Sequence, residues 1–439
     1  MDALTVGILS LVLIVILIYS GAYVAITLSL VSFLGVWLIR DDPTIAVRMM
    51  TLAVTDSIKS YDFATIPTFV MMGLIVGKAG LGADIYQVAH QAFRRVRGGL
   101  GIATVAANAA FAAVTGSSIA SASVFTRVSV PEMIRYEYSK RFAVGVVAGS
   151  SVLGMLIPPS VMLIIYAFVA EQSVGDMFLA GVVPGLVLSL AYIVAILAAG
   201  YVTPDFIGRG ALRVVDHGVA RLTLAQMAIK LAPLVFLIVI VLGGIYSGVT
   251  TASEAGAAGA LVAIIIATLQ RRLTLIHIKE ILIDTGHITA TILFLIMAAT
   301  MYNRMLGIAG LPSMLSAWLE HTQLGFFWLM TLYVVLLLFL GTIIDTASII
   351  LICVPLFLRA IEDMGMSFVW FGIVTVVGAE IGLLTPPFGI SCFVIKATLD
   401  RADISLNDIF VGAFPFAVIM LAVLVLLIAF PQISIAILR

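Results

Sequence analysis

The sequence reads GMLIPP at residues 154–159 and GLLTPP at residues 382–387, and each hexapeptide lies in the middle of a long apolar run. Each has a glycine four residues before a pair of prolines. Proline has no backbone N–H and interrupts a helix, which leaves carbonyl groups of the preceding turn unpaired. We therefore predict two helices, at about 142–172 and 368–399, that are broken near their middle.

Two further features occur in the same order around both hexapeptides. A polar break headed by glycine precedes each one, as Gly116-Ser117-Ser118 and as Gly341-Thr342-Ile343-Ile344-Asp345. A similar segment follows each one, as Ser173-Val174-Gly175-Asp176-Met177-Phe178 and as Ser405-Leu406-Asn407-Asp408-Ile409-Phe410. Three matches in the same order indicate an internal duplication.

The composition indicates an integral membrane protein. Of the 439 residues, 62% are hydrophobic and 10% are charged, whereas roughly a quarter of an average soluble chain is charged. Apolar runs longer than about 18 residues recur, so we expect roughly ten or more spanning helices and no sizeable soluble domain. The first run begins at Leu4 without the features of a cleaved signal peptide, and we interpret it as a retained span in contact with membrane lipid. The 23 basic residues balance the 23 acidic ones, so nucleic-acid binding has no support.

Basic residues cluster in five loops, which we place in the cytoplasm because Lys and Arg remain on that side of short loops. The clusters are Lys78, Arg94, Arg95 and Arg97; Arg127, Arg135, Lys140 and Arg141; Arg209, Arg213, Arg221 and Lys230; Arg271, Arg272 and Lys279; and Lys396 and Arg401. Residues 100–126 lie between two such loops, so we predict a re-entrant hairpin on the cytoplasmic side rather than a single span. Residues 326–359 are predicted to form a second hairpin, which opens to the outer side.

Hairpins that open to opposite sides make the repeats inverted, an architecture typical of secondary transporters. We predict an all-α polytopic membrane protein with four regions along the chain. These are N-terminal scaffold helices in 1–62, a first repeat in 63–204, linking scaffold helices in 205–283 and an inverted second repeat in 284–439. Substrate and coupling-ion sites in such proteins lie at the repeat interface near the bilayer midplane.

Several polar residues in apolar surroundings are candidates for function. Asp345 is expected to face a cation, because a charge at membrane depth costs at least about 2.5–3.5 kcal/mol; a helix-capping role is the alternative. Ser117 and Ser118 fit a ligand role through their place at the first hairpin tip. Glu380 fits a proton site or a pairing with a neighbouring polar group, and Arg304 fits a contact to a substrate carboxylate or snorkelling to the interface.

Glu254 follows Thr251 at a helix start and fits a capping role.

Other residue patterns exclude whole classes of chemistry. The sequence has no GxxxxGK[ST] motif for direct use of ATP and no HExxH pair for a zinc protease. We expect no cofactor and no transition metal, with Na⁺ as the coupling ion, because the breaks offer oxygen and no soft ligands.

Motifs along essentially the whole chain resemble the large membrane subunit of tripartite ATP-independent periplasmic (TRAP) transporters. They are Gly116-Ser117-Ser118, Val130-Pro131-Glu132-Met133, Leu156-Ile157-Pro158-Pro159-Ser160, Asp176-Met177-Phe178, Ala180-Gly181-Val182-Val183-Pro184-Gly185, Thr251-Ala252-Ser253-Glu254, Gly341-Thr342-Ile343-Ile344-Asp345 and Thr385-Pro386-Pro387-Phe388-Gly389. The chain departs from the family pattern at Tyr136-Glu137-Tyr138, where Gly-Tyr is usual, and at Tyr302-Asn303-Arg304. The second departure bears on the identity of the substrate.

The resemblance implies a sodium-driven elevator mechanism in the bacterial inner membrane. A transport domain that holds both hairpins and both broken helices would slide against the scaffold and take up an organic acid. A separate small membrane subunit of four helices and a periplasmic substrate-binding protein are the implied partners. A stand-alone sodium-dicarboxylate symporter of related architecture is the alternative, and an ion channel is the alternative from a different class.

The resemblance also implies site residues at the tips and breaks. One sodium site is expected at Gly116, Ser117, Ser118, Gly154 and Pro158, and a second at Gly341, Thr342, Asp345, Thr385 and Pro386. Substrate contacts are expected from Ser118, Ser160, Thr346 and Arg304.

Overall fold

The computed structural model describes residues 2–59, 61–208, 222–322, 325–399 and 401–438. Regular secondary structure in these ranges is helical throughout, which confirms the predicted all-α class. Arg209, Arg213 and Arg221 of the third basic cluster lie outside the described residues.

The chain begins with three helices in the region predicted as scaffold: α1 (Ala3–Tyr19), α2 (Val24–Arg40) and α3 (Pro43–Lys59). A short 3-10 helix at Tyr61–Ala64 leads into the pair α4 (Thr65–Lys78) and α5 (Leu81–Phe93). This pair is bent by 63°. Gly80 lies at the bend in the left-handed backbone conformation, with φ of 72°.

The first half continues with a helix pair and a broken helix. The pair is α6 (Gly99–Thr115) and α7 (Ser118–Arg135). The broken helix consists of α8 (Lys140–Ser151), α9 (Leu153–Leu156) and α10 (Val161–Val169), and it bends by 45° where the two prolines stand. The half ends with the long helix α11 (Val174–Val202).

Among the described residues, the helices between the two halves are α12 (Pro204–Ile207), α13 (Leu224–Tyr246), α14 (Ala252–Leu269) and α15 (Leu275–Ala309). Capping boxes fix the starts of α13 and α14. In the second box Glu254 accepts from the backbone N–H of Thr251 at 2.8 Å, and the Thr251 hydroxyl accepts from the Glu254 N–H. The capping role predicted for Glu254 is therefore confirmed.

The second half has the same sequence of features. It consists of α16 (Leu311–Thr322), α17 (Phe326–Gly341), α18 (Thr346–Asp363), α19 (Phe368–Gly382), α20 (Ile390–Thr398), α21 (Leu406–Ala429) and α22 (Gln432–Ile435), followed by a 3-10 helix at Ala436–Leu438. Here α17 and α18 form the helix pair, and α19 and α20 form the broken helix.

The helix breaks lie at the positions that the sequence predicted. The predicted hairpin at 100–126 corresponds to α6 and α7, although its second arm continues to Arg135. The predicted hairpin at 326–359 corresponds to α17 and α18 and continues to Asp363. Both second arms thus run on beyond the predicted ends, and α7 does so through Pro131. The depth of these pairs in a membrane, and with it their re-entrant character, stays a prediction.

A further matched feature was missed in the sequence. Ala79-Gly80-Leu81 and Ala309-Gly310-Leu311 each separate two helices, α4 from α5 and α15 from α16. Both glycines adopt left-handed backbone, with φ of 72° and 75°. The three-residue identity is too short to stand out in a chain rich in Ala, Gly and Leu. It extends the correspondence between the halves to the helices ahead of each pair.

Equivalent helices pack across the two halves. The second arm of each pair lies against the last segment of the other half's broken helix, so that α7 contacts α20 and α18 contacts α10. In the same way α8 packs on α21 and α11 on α19. A Cβ added to Gly145 would lie 2.0 Å from the carbonyl oxygen of Gly412, so α8 and α21 touch through their backbones. Close contact of this kind is typical of small residues in membrane helix interfaces.

Five of the described helices are long and apolar enough to cross a membrane, or up to seven if each bent pair counts as one span. This is fewer than the ten or more expected from the apolar runs, because the polar breaks divide several runs into shorter helices. The shorter apolar helices are α1, α2, α6, α17 and α19.

Candidate functional site

The first tip is a two-residue turn that rests on the first helix break. Gly116 ends α6 in the left-handed conformation, with φ of 59°, and Ser117 caps α7 by accepting from the Ala120 N–H at 3.3 Å. The Gly116 carbonyl accepts from the Val161 N–H beyond the prolines at 3.4 Å. A Cβ at Gly116 would lie 2.5 Å from the Pro159 carbonyl oxygen, so the contact requires glycine.

The second tip rests on the second break in the same manner. The Thr342 carbonyl accepts from the Phe388 N–H at 3.3 Å. A Cβ at Gly382 would lie 2.4 Å from the Gly341 Cα, and in the first half a Cβ at Gly154 would lie 2.7 Å from the Ser117 carbonyl oxygen. Each tip therefore touches the glycine that precedes the proline pair, as the matched motifs suggest.

The breaks concentrate oxygen atoms near the tips. In the first break the Ser160 hydroxyl donates to the Met155 carbonyl at 2.5 Å and accepts from the Leu163 N–H at 3.3 Å, which starts α10. In the second break the Thr385 hydroxyl donates to the Gly382 carbonyl at 2.9 Å. Unwound carbonyls of this kind coordinate sodium in transporters built on broken helices. Ser160 lies at the break, and its hydroxyl is engaged with the backbone there.

Asp345 has the contacts of a helix cap. Its carboxylate accepts from the Ser348 N–H at 3.2 Å and from the Ser348 hydroxyl at 2.5 Å, at the start of α18. The residue is exposed. The capping alternative is therefore present in the structure, and the cation role stays a prediction.

The two proline breaks differ in exposure. Pro158 and Pro159 are buried, whereas Pro386, Pro387 and the adjoining Phe388 are exposed. We call each tip, together with the break on which it rests, a tip-and-break unit. The first unit comprises residues 116–118 and 154–160 and has a covered proline pair, whereas the second comprises residues 341–345 and 382–389 and has an accessible one.

Glu380 lies on the second broken helix and joins it to the helix pairs. It is buried in the last turn of α19, and its Oε1 accepts from the Thr346 hydroxyl at 2.7 Å. Pairing with a neighbouring polar group, one of the two interpretations from sequence, is confirmed. Ser118, the first residue of α7, also faces Glu380. The structure therefore brings together Ser118 and Thr346, two of the four expected substrate contacts.

Arg304 has a different environment. Its guanidinium donates to the Asp56 carboxylate on α3 at 2.5 Å, and both side chains are partly exposed. No described hydrogen bond or ion pair joins it to either tip. The structure thus gives Arg304 a partner that sequence reasoning did not supply, and its substrate contact stays a prediction.

An ion-pair network was also missed in the sequence. Asp84 on α5 is 6% exposed and pairs with Lys230 on α13 and with Arg272, which follows α14, at 2.5 Å in the second case. Arg272 also donates to the Ala79 carbonyl at 3.1 Å. These contacts hold the α4–α5 bend against the linking helices. The only signal in the sequence is an aspartate on an otherwise apolar helix face.

The chain is similar to known transport proteins over nearly its full length. Residues 11–433 match the family model "Tripartite ATP-independent periplasmic transporter, DctM component". The chain is 33% identical over 394 residues to the C4-dicarboxylate TRAP transporter large permease protein DctM of Pseudomonas aeruginosa, with 89% of each protein covered. It is 31% identical over 381 residues to the sialic acid TRAP transporter large permease protein SiaM of Vibrio cholerae, with 85% of this chain and 86% of that protein covered. The crystal structure of the Alcanivorax borkumensis YdaH transporter shares the fold at a TM-score of 0.63 and 12% identity, with 89% of each chain covered.

Proposed function

Because the chain belongs to the DctM component family of tripartite ATP-independent periplasmic transporters, we propose that it takes up a small organic acid with sodium as the coupling ion. The observation that carries this proposal is the pair of equivalent tip-and-break units, each with unwound backbone oxygen beside a glycine contact. Two such units supply two places for a monovalent cation. The proposed sodium ligands are those expected from the sequence, at the two tips and the two breaks.

The names of the relatives support an acidic substrate. C4-dicarboxylates and sialic acid are both carboxylic acids, and the two permeases named for them match most of this chain. Ser118 and Thr346 start the second arms of the two pairs, so their N–H groups lie where helix N-termini favour an anion. Ser160 and Arg304 complete the proposed substrate contacts.

An elevator movement in the inner membrane is part of the proposal. The surface between α1, in the proposed scaffold, and the helix pair α17–α18 is apolar. It encloses a cavity of about 170 Å³ lined by aliphatic side chains and Cys353, among them Leu11, Ile14 and Ile344. Apolar contact is non-directional, so such a surface permits sliding without the loss of specific bonds.

The family works with a small membrane subunit and a periplasmic binding protein, and we propose both as partners of this chain. Uptake by proteoliposomes that contain this chain and the small subunit tests the function directly. We expect a panel of organic acids to show uptake only when the binding protein is present. Uptake at full rate without the binding protein would instead support a stand-alone sodium-dicarboxylate symporter. Counterflow of labelled substrate separates a carrier from a channel, because only a carrier exchanges.

The re-entrant character of α6–α7 predicts that both of its ends lie in the cytoplasm. Arg95 and Arg135 are exposed residues ahead of α6 and at the end of α7. Single cysteines at these two positions should be equally protected from an impermeant thiol reagent added outside intact cells. The native Cys353 and Cys392 are 1% and 0% exposed, which keeps the background low. Both sites should react after permeabilisation, and labelling of only one of them in intact cells would mean that the segment crosses once.

Asp345 gives a prediction that separates capping from cation binding. Asparagine keeps an oxygen that accepts from the Ser348 N–H but removes the charge, whereas alanine removes both. We expect Asp345→Asn to raise the sodium concentration for half-maximal uptake several-fold, with nearly unchanged thermal stability. Asp345→Ala should in addition lose about 0.5–2 kcal/mol of stability. An asparagine variant indistinguishable from wild type would leave Asp345 as a cap alone.

A further inference from the structure

Glu380 is the most deeply buried carboxylate in the described part of the chain and has one oxygen to spare. The residue is 1% exposed. Its Oε1 accepts from the Thr346 hydroxyl at 2.7 Å. Its Oε2 has no hydrogen-bond partner among the described residues. A buried polar atom without a partner requires an explanation, because leaving a charged group unsatisfied costs more than leaving a neutral one.

A second unpartnered oxygen faces Glu380 from the other half. Ser118 is 0% exposed, and its hydroxyl has no hydrogen-bond partner in the described ranges. Ser118 and Thr346 occupy equivalent positions, each as the first residue of the second arm of its helix pair. Glu380 therefore stands between the two pairs, bonded to Thr346 and close to Ser118.

The electrostatic surroundings of Glu380 favour a cation. Asp345, the N-cap of α18 and the neighbour of Thr346, is another anion. Glu380 also lies in the last turn of α19, where the helix dipole presents its negative end. Burial of an unpaired carboxylate in this setting is unfavourable. A bound cation would offset that cost and satisfy both spare oxygens.

We propose that Glu380 and Ser118 form a third cation site, which takes Na⁺ and is shared by the two halves. The Glu380 Oε2 and the Ser118 hydroxyl are its side-chain ligands, while Thr346 holds the carboxylate in place through Oε1. The site shares Ser118 with the first sodium site proposed above, but that site uses the Ser118 backbone, whereas the third site uses the Ser118 hydroxyl and the Glu380 carboxylate. Because its ligands come from both halves, its occupancy couples the first helix pair to the second. The inference rests on the proposed sodium coupling.

Thermal unfolding of the purified full chain with its small subunit tests this site, with NaCl as the probe and choline chloride keeping ionic strength constant. The unfolding midpoint rises with the logarithm of sodium concentration in proportion to the number of ions bound only by the folded state. If wild type binds three sodium ions and Glu380→Gln binds two, the slope of the unfolding midpoint against the logarithm of sodium concentration should be about a third smaller in the variant. Ser118→Ala should lower it in the same direction.

Matched controls keep the comparison specific. Glu362→Gln removes an exposed carboxylate from the end of α18. Ser129→Ala removes a buried hydroxyl from α7 that donates to the Phe125 carbonyl oxygen at 2.7 Å. Ser129 lies about 16 Å along the helix from Ser118. Both should keep the wild-type slope.

Each result has a distinct meaning. If the unfolding midpoint of wild type does not change with sodium concentration, the proposed sodium coupling itself is overturned. A sodium-dependent wild type with an unchanged slope in Glu380→Gln would overturn the third site alone and leave Glu380 as a neutral, protonated acid. Should Glu380→Gln prove too unstable to measure, the slope of Ser118→Ala decides in the same way, because alanine removes the hydroxyl of the third site and keeps the Ser118 backbone that the first sodium site uses.

Discussion

Uptake of an organic acid into proteoliposomes is expected to fall to background when external sodium is replaced by potassium. The two tip-and-break units offer carbonyl and hydroxyl oxygens at fixed backbone positions, held by contacts as close as that of Gly382 on Gly341. A cavity of fixed size and ligand number is one way in which proteins discriminate between alkali cations. Without the coupling ion the substrate-loaded carrier lacks its driving force, so the effect should be a loss of uptake and not a modest reduction.

The measurement requires that only the ion changes. The membrane potential should be clamped to the same value in both media, and liposomes without protein give the background. Sodium restored to the outside of the same preparation should restore uptake. Full uptake under a proton gradient in sodium-free medium would contradict the prediction and would make Glu380 the first candidate for a proton site.

A single methyl group at either tip-contact glycine is expected to disable transport. An alanine Cβ at Gly154 would lie 2.7 Å from the Ser117 carbonyl oxygen, and at Gly382 it would lie 2.4 Å from the Gly341 Cα. These neighbours are backbone atoms and cannot rotate away, so the tip must move off the break. Overpacking of this kind costs about 1–3 kcal/mol. We expect Gly154→Ala and Gly382→Ala each to lose most sodium-dependent uptake, together with the sodium-induced rise in the unfolding midpoint.

Two other glycines provide controls for the same substitution. A Cβ at Gly286 or Gly307, both on α15, would meet no atom within 4 Å. Alanine is favoured over glycine inside a helix by about 0.8–1 kcal/mol. Gly286→Ala and Gly307→Ala should therefore transport normally and unfold at the same or a slightly higher temperature. Normal uptake by Gly382→Ala would show that the second tip need not touch the break.

The features that the sequence predicted well are those that act locally. A proline pair interrupts a helix because of its own covalent structure, so the breaks in α8–α10 and α19–α20 could be predicted from the positions of the two proline pairs. The turn at Gly116 and the cap formed by Glu254 also depend on neighbours within a few residues. Glu137 lies in the segment where the sequence departs from the family pattern, and it adopts the left-handed backbone conformation that glycine favours, with φ of 60°.

The features that could not be predicted depend on residues far apart in the chain. Nothing close to Arg304 in sequence indicates Asp56 as its partner, since the pair forms only when α15 packs on α3. The contact between Thr346 and Glu380 likewise depends on how α18 packs against α19. The sequence alone indicated Arg304 and Glu380 as candidates, because each is a charged residue in apolar surroundings. Only the packed structure supplies what each charge faces.

The single carboxylate at Glu380 also bears on the ancestry of the chain. The matched glycines Gly154 and Gly382 align Glu380 with Val152 in the first half. α9, which begins next to Val152, packs against α19. A dimer of identical ancestral subunits would have placed two carboxylates at this contact, or none, and two would repel each other strongly in an apolar interior. A single polypeptide has no such restriction, because one half can hold an acid where the other half holds valine.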